Sequence, residues 1–217
     1  MTETSENMAD ATPVPFRVGF VPGVTPDKWS RIWNERVRDA RLEVRPIGEH
    51  DQTAVLHERR ADMSFVRLPI DRTGLELIPL YHEVAVVVVP VDHPITTYAE
   101  TAEVDLAGES LLKVPPMSYR EAITAVANGA GAVVVPMSVA RLHHRKDLAH
   151  RPVTDVAQTQ IGLAWLSGTA DPRIETFIGI VRGRTERSSR AGEPAGRTAG
   201  KRSDRRGGGA RRRRGSR

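Results

Sequence analysis

The chain has 217 residues, a formal net charge of +5 and no cysteine, so disulfides and thiolate chemistry are excluded. The charge is unevenly placed: residues 184–217 hold thirteen Lys/Arg against three acids, a +10 segment that leaves the rest of the chain at −5. That segment has no Leu, Ile, Val or aromatic residue, so it is expected to be a disordered Arg/Gly-rich basic tail.

A polar leader over residues 1–15 precedes the first periodic segment and is also expected to be disordered. It has neither a basic start nor an apolar run, so no signal peptide is read there. Phe16–Val21 has a β-type pattern, and Pro22-Gly23 turns the chain. Thr25-Pro26-Asp27 reads as a helix start, with a hydroxyl N-cap, Pro at the first helical position and an acid in the first turn. Trp29, Ile32, Trp33, Val37 and Ala40 follow at helical spacing and predict one buried face. Leu42–Ile47 is a predicted strand, Asp51–Arg60 a helix, and Met63–Leu68 and Leu75–Leu80 two further strands.

Glu83–Pro90 is β-branched and apolar on both faces, which suits a central strand. The most apolar stretch, Glu83–Val91, is too short to span a bilayer. A loop over Val91–Thr97, a short helix over Ala102–Ala107 and a strand over Ser110–Val114 come next. Ser118-Tyr-Arg-Glu121 has the form of a capping box, and Ala122, Ile123, Val126 and Ala127 continue its helix. Gly129 and Gly131 end that helix and lead into a strand over Ala132–Val135. Ser138–His144 is read as helical, Gln160–Leu166 as a strand and Pro172–Val181 as the last helix. Strands alternating with helices imply an α/β fold with a largely parallel sheet and ligands near helix N-termini.

Several of these stretches resemble the effector-binding (substrate-binding) domain of LysR-type transcriptional regulators. Phe16–Gly23 is similar to its opening strand and turn, and Arg60-Ala-Asp-Met-Ser-Phe-Val66 to its third strand. Ile78-Pro-Leu-Tyr-His-Glu-Val-Ala-Val-Val-Val-Val-Pro-Val-Asp-His-Pro94 resembles the stretch where that family passes from its first lobe to its second. Val104-Asp-Leu-Ala107, Val126–Pro136, Gly162-Leu-Ala-Trp165 and the last helix to Arg182 complete the match, in the family's order. The resemblance implies a two-lobed type 2 periplasmic-binding-protein-like fold. Lobe 1 is expected from residues 16–82 and 156–183, and lobe 2 from 83–155. Two departures stand out. Only 15 residues precede the first strand, so the family's winged helix-turn-helix is expected to be absent. The part between Leu112 and Gly129 is short, so the second lobe is expected to be shortened.

The candidate ligand site begins at Gly23, Val24 and Thr25, where a strand meets a helix N-terminus with free N–H groups and a hydroxyl. Alternatively, Thr25 simply caps its helix. Arg67, at a strand's end, could clamp a carboxylate through its planar fork, or else form a surface salt bridge to Asp71. Lys113 and Ser118 hold the corresponding place in the second lobe, although Ser118 also serves as an N-cap. His143, His144 and His150 lack ligand spacing, so no metal site is expected, and with Arg141, Arg145 and Lys146 they read as a basic surface edge. Trp29, Trp33 and Trp165 read as core or interface residues. No catalytic motif is found, so neither an enzyme nor a cofactor is expected.

The tail offers Arg205, Arg206, Arg211, Arg212, Arg213 and Arg214 for sequence-independent, salt-sensitive contact with nucleic acid, or else only solubility. Two functions follow. The first is a cytoplasmic receptor for a small anionic metabolite, acting in transcriptional regulation through itself as a homodimer or through a regulator partner. The second is a nucleic-acid-associated protein that binds through its tail, with the body as scaffold. No membrane contact is expected.

Overall fold

In the computed structural model, residues 14–183 are described. The leader to residue 13 and the tail from residue 184, with Arg205, Arg206 and Arg211–Arg214, lie outside the described residues.

The first sheet starts with β1 (Phe16–Phe20), which turns Phe16 and Val18 into the core. Helix α1 (Asp27–Arg36) covers that face. Its Trp33 stacks on Phe16 with ring centroids 5.1 Å apart, and its Trp29 stacks on Phe65 at 4.7 Å. Offset aromatic stacking adds to the area that these large side chains remove from water. Trp33 is fully buried, and its indole N–H is satisfied by the Ala40 carbonyl at 2.9 Å. Thr25 does not cap this helix: Pro26 takes the cap position and no side chain bonds there.

Strand β2 (Leu42–Pro46) pairs with β1 in parallel. The predicted helix over Asp51–Arg60 is broken into a 3-10 turn at Glu49–Asp51 and a single helical turn, α2 (Ala54–His57). Gln52 explains the break. Its side chain accepts from the Arg67 N–H at 2.8 Å and donates to the Arg67 carbonyl at 3.3 Å, which takes it out of helical register. Arg59, at φ 53°, ends the segment.

Strand β3 (Met63–Leu68) joins β1 in parallel, and β4 (Leu75–His82) follows. The chain then crosses through Glu83 and Val84 to the second sheet, where β5 (Ala85–Pro90) is buried on both faces. Val86 and Val88 meet Ala122, Ile123 and Val126, while Val87 and Val89 meet Ile95, Leu106 and Val153. The central-strand reading of this segment holds.

The second sheet also takes β6 (Thr101–Ala102), followed by a 3-10 turn at Glu103–Leu106. Predicted strand Ser110–Val114 is reduced to one isolated bridge, Leu111 to Ala132. Helix α3 (Tyr119–Ala127), strand β7 (Val133–Pro136) and helix α4 (Met137–Leu142) follow. Strand β8 (Leu148–Thr154), which the hydropathy pattern does not reveal, carries only one buried residue, Val153. The chain returns to the first sheet as β9 (Gln160–Leu166) and closes with α5 (Pro172–Val181) on the aromatic core.

The sheet orders are β2-β1-β3-β9-β4 and β6-β8-β5-β7. In each sheet a single strand runs against the rest, so both sheets are mixed rather than purely parallel. β9 runs antiparallel to both neighbours, β3 and β4, and β5 runs antiparallel to both β7 and β8. The direction of β9 follows from connectivity, since a strand returning from the other sheet enters the first one from the opposite end. The two sheets with their separate cores form a mixed α/β architecture of two halves, as the family resemblance implies.

Candidate ligand cleft

The two crossings between sheets are joined directly: the Glu83 N–H donates to the Thr159 carbonyl at 2.9 Å. Around that bond lies a buried polar cluster. Arg67 Nε donates to Glu83 Oε2 at 2.6 Å and Arg67 Nη2 to Glu83 Oε1 at 3.1 Å, a side-on fork. Arg67 Nη2 also donates to the Pro22 carbonyl at 2.7 Å. The hydroxyls of Ser138 and Thr159 donate to the two Glu83 oxygens at 2.7 and 3.0 Å.

Both charged side chains of this pair are almost completely buried, Arg67 at 6% exposure and Glu83 at 4%. Burial alone pushes the Glu83 carboxyl up. The Arg67 hydrogen bonds and charge, helped by the two hydroxyls, outweigh it and hold Glu83 below the ordinary carboxylate range. Burial likewise disfavours the Arg67 cation, and Glu83 more than restores it. Arg67 Nη1 is the one buried side-chain polar atom among the described residues without a hydrogen-bond partner. The guanidinium carbon lies 5.4 Å from the ring centre of Tyr119.

Above this cluster opens a cavity of about 780 Å³. One wall is the β1–α1 turn, Pro22 to Thr25, together with Phe20, Pro46 and Glu49. The other is built from Ser118, Arg120, Ser138, Arg141, Leu142 and His143, all near the N-terminus of α3 or along α4. Two other grooves, of about 580 and 600 Å³, draw only on first-sheet elements and the segments packed on them. The first cavity alone among these three is shared by both halves.

Gly23 is required in the wall for two reasons. Its φ of +92° is left-handed, and a Cβ there would meet Ser138 Oγ at 2.5 Å. The turn is closed by the Val24 N–H on the Val21 carbonyl at 3.2 Å. Thr25 is exposed, and its hydroxyl caps no helix. Ser118 is committed to its capping box: it accepts from the Glu121 N–H at 3.2 Å, while its own N–H donates to the Glu121 carboxylate at 2.8 Å.

Of the six residues expected here, Gly23, Val24, Thr25 and Ser118 meet at the cavity. Arg67 sits beneath it as an internal strut rather than an open clamp, because its fork is taken by Glu83. Its expected alternative partner, Asp71, bonds to Thr73 instead. Lys113 is exposed on the segment before α3 and is not part of the lining. Glu49, Arg120, Arg141 and His143 are additions that sequence reasoning missed. Arg120 lies inside a capping box, where a cation reads as solvated surface, and Arg141 and His143 were read as a basic edge. Burial, then the nearby Arg120 charge, pushes the His143 imidazole below its ordinary range.

The family model described as LysR substrate binding domain matches residues 15–124. Among solved structures, a cysteine-to-aspartate mutant of the OxyR regulatory domain from Pseudomonas aeruginosa is 24% identical, with a TM-score of 0.63, covering 78% of this chain and 96% of that one. The BenM effector binding domain with its effector benzoate is 23% identical, with a TM-score of 0.64, covering 79% and 95%. Full-length BenM is 22% identical, with a TM-score of 0.66, covering 78% of this chain and 67% of that chain. No curated protein matches. These structural likenesses carry the fold. No helix among the described residues is long and apolar enough to cross a membrane.

Proposed function

The chain belongs to the LysR substrate-binding-domain family, and from that premise we propose that it is a non-catalytic cytoplasmic receptor. It takes up a small effector through an anionic group in the cleft between its sheets, and acts in transcriptional regulation through partners, as a homodimer or with another regulator. The observation that carries this reading is the shared cavity: Arg120 and Arg141 line one wall and the β1–α1 turn, Pro22 to Thr25, the other. A guanidinium favours an anion, above all one with a planar carboxylate. BenM, which shares the fold, was solved with benzoate, a carboxylate.

A thermal-shift screen of the full chain against small carboxylates tests it. A binding carboxylate is expected to raise the melting temperature by several degrees at about 100-fold excess over its Kd. Arg120→Ala with Arg141→Ala should remove the shift, and Lys113→Ala should keep it. A shift that survives the double replacement would place the ligand elsewhere.

A second reading rests on the +10 segment at residues 184–217. In it the tail, through Arg205, Arg206 and Arg211–Arg214, binds nucleic acid and the body is a scaffold. Deleting 184–217 then removes nucleic-acid binding and its steep salt dependence, while the Arg120/Arg141 replacement leaves both unchanged.

A further inference from the structure

The cleft contains a charge that anion binding does not need and in fact resists. Glu49 opens the 3-10 turn after β2 and lines the first wall of the cavity. It is half-buried and makes no ion pair among the described residues. Its field reaches across the cleft floor to Arg67 and to Tyr119, the first residue of α3. On the facing wall Arg120 and Arg141 are likewise without ion pairs among the described residues. The cavity thus presents two cations on one side and one carboxylate on the other. Phe20 on the Glu49 wall and Leu142 on the facing one supply apolar surface.

A simple anion fits this arrangement poorly, because the half-buried Glu49 repels it where screening by water is reduced. A metal ion is no better as the partner of Glu49: among the described residues no group of three metal-ligating side chains gathers anywhere. A ligand with its own positive end resolves the mismatch, since opposite charges then meet on both walls.

We propose that the effector is a small zwitterion of the amino-acid class with an apolar side chain. Its carboxylate faces Arg120 and Arg141, its ammonium faces Glu49, and its side chain lies against Phe20 and Leu142. This rests on the effector-binding reading and narrows it. Because the two charged ends sit on opposite walls, such a ligand draws the walls together in a way that neither end does alone.

The test is isothermal titration of the full chain with the twenty standard amino acids, their deaminated carboxylic acids and the corresponding amines. At least one amino acid is expected to bind, its deaminated acid about tenfold or more weakly, and its amine not measurably. Glu49→Gln, which keeps the side-chain volume, should bring the amino acid and its deaminated acid to within about twofold of each other. Arg120→Ala with Arg141→Ala should abolish binding of both. Cooperative thermal melts of each variant verify that it folds. A deaminated acid that binds as tightly as its amino acid, or a preference that survives Glu49→Gln, overturns the zwitterion while leaving the effector reading intact. Silence of both the amino acids and the acids removes the effector reading as well.

Discussion

At the scale of the single residue, the chemistry is concentrated in Arg67 and Glu83. Each is nearly buried, and each neutralises the other across the point where the chain passes between sheets. A buried pair of this kind contributes little net stability against an apolar pair, but removing one partner leaves an uncompensated charge and costs about 3–5 kcal/mol. Arg67→Met is therefore expected to lower stability by about that amount, measured by urea unfolding. The pH dependence has a definite sign. The folded pKa of Glu83 lies below its unfolded value, so its contribution is present above the ordinary carboxylate range and is lost as pH falls through the depressed value. Glu83→Gln should flatten the loss of stability in acid. An unchanged acid limb would show that other carboxylates set it. The hydropathy of Met63–Leu68 placed Arg67 at a strand end, but nothing local to it could indicate that its partner lay sixteen residues on, at the crossing.

Among the elements, those with strong local rules form as read. The capping box at Ser118 and Glu121 is present with both of its bonds, because side chain and backbone three residues apart need no tertiary help. Ser118→Ala is expected to cost about 1 kcal/mol through α3. Since Ser118 also lines the cavity, this change tests how far the N-terminus of α3 orients Arg120: a weakened effector response beyond the stability loss would show that it does. The elements that differ do so for tertiary reasons. β8 is only half-buried along most of its length and has a weak apolar signature, so its pairing to β5 defines it rather than its composition. The helix over Asp51–Arg60 loses its first half to Gln52, whose side chain takes the place of a strand neighbour against Arg67.

For the whole molecule, the two crossings are bonded to each other, and the polar cluster beside them ties β3, α4 and both linking segments together. The cavity lies just above this junction, so occupancy of the cavity and the geometry of the junction are coupled by contact. Hydrogen exchange should show slower exchange at Glu83 and Val84 when effector is bound, and no change there in the Arg120/Arg141 double variant. The sequence by itself determined the periodic elements, the doubly buried strand β5, the aromatic face of α1, the capping box and the separation of a strongly basic tail from an acidic body, because each depends on residues close in the chain. Only the tertiary structure decided strand direction, the pairing of Arg67 with Glu83, the displacement of Lys113 from the cleft and the meeting of Glu49 with Arg120 and Arg141. Those outcomes depend on how two sheets joined by two crossings face each other, and a charge that lines a cleft between such halves has no local pattern that sets it apart from a charge in water.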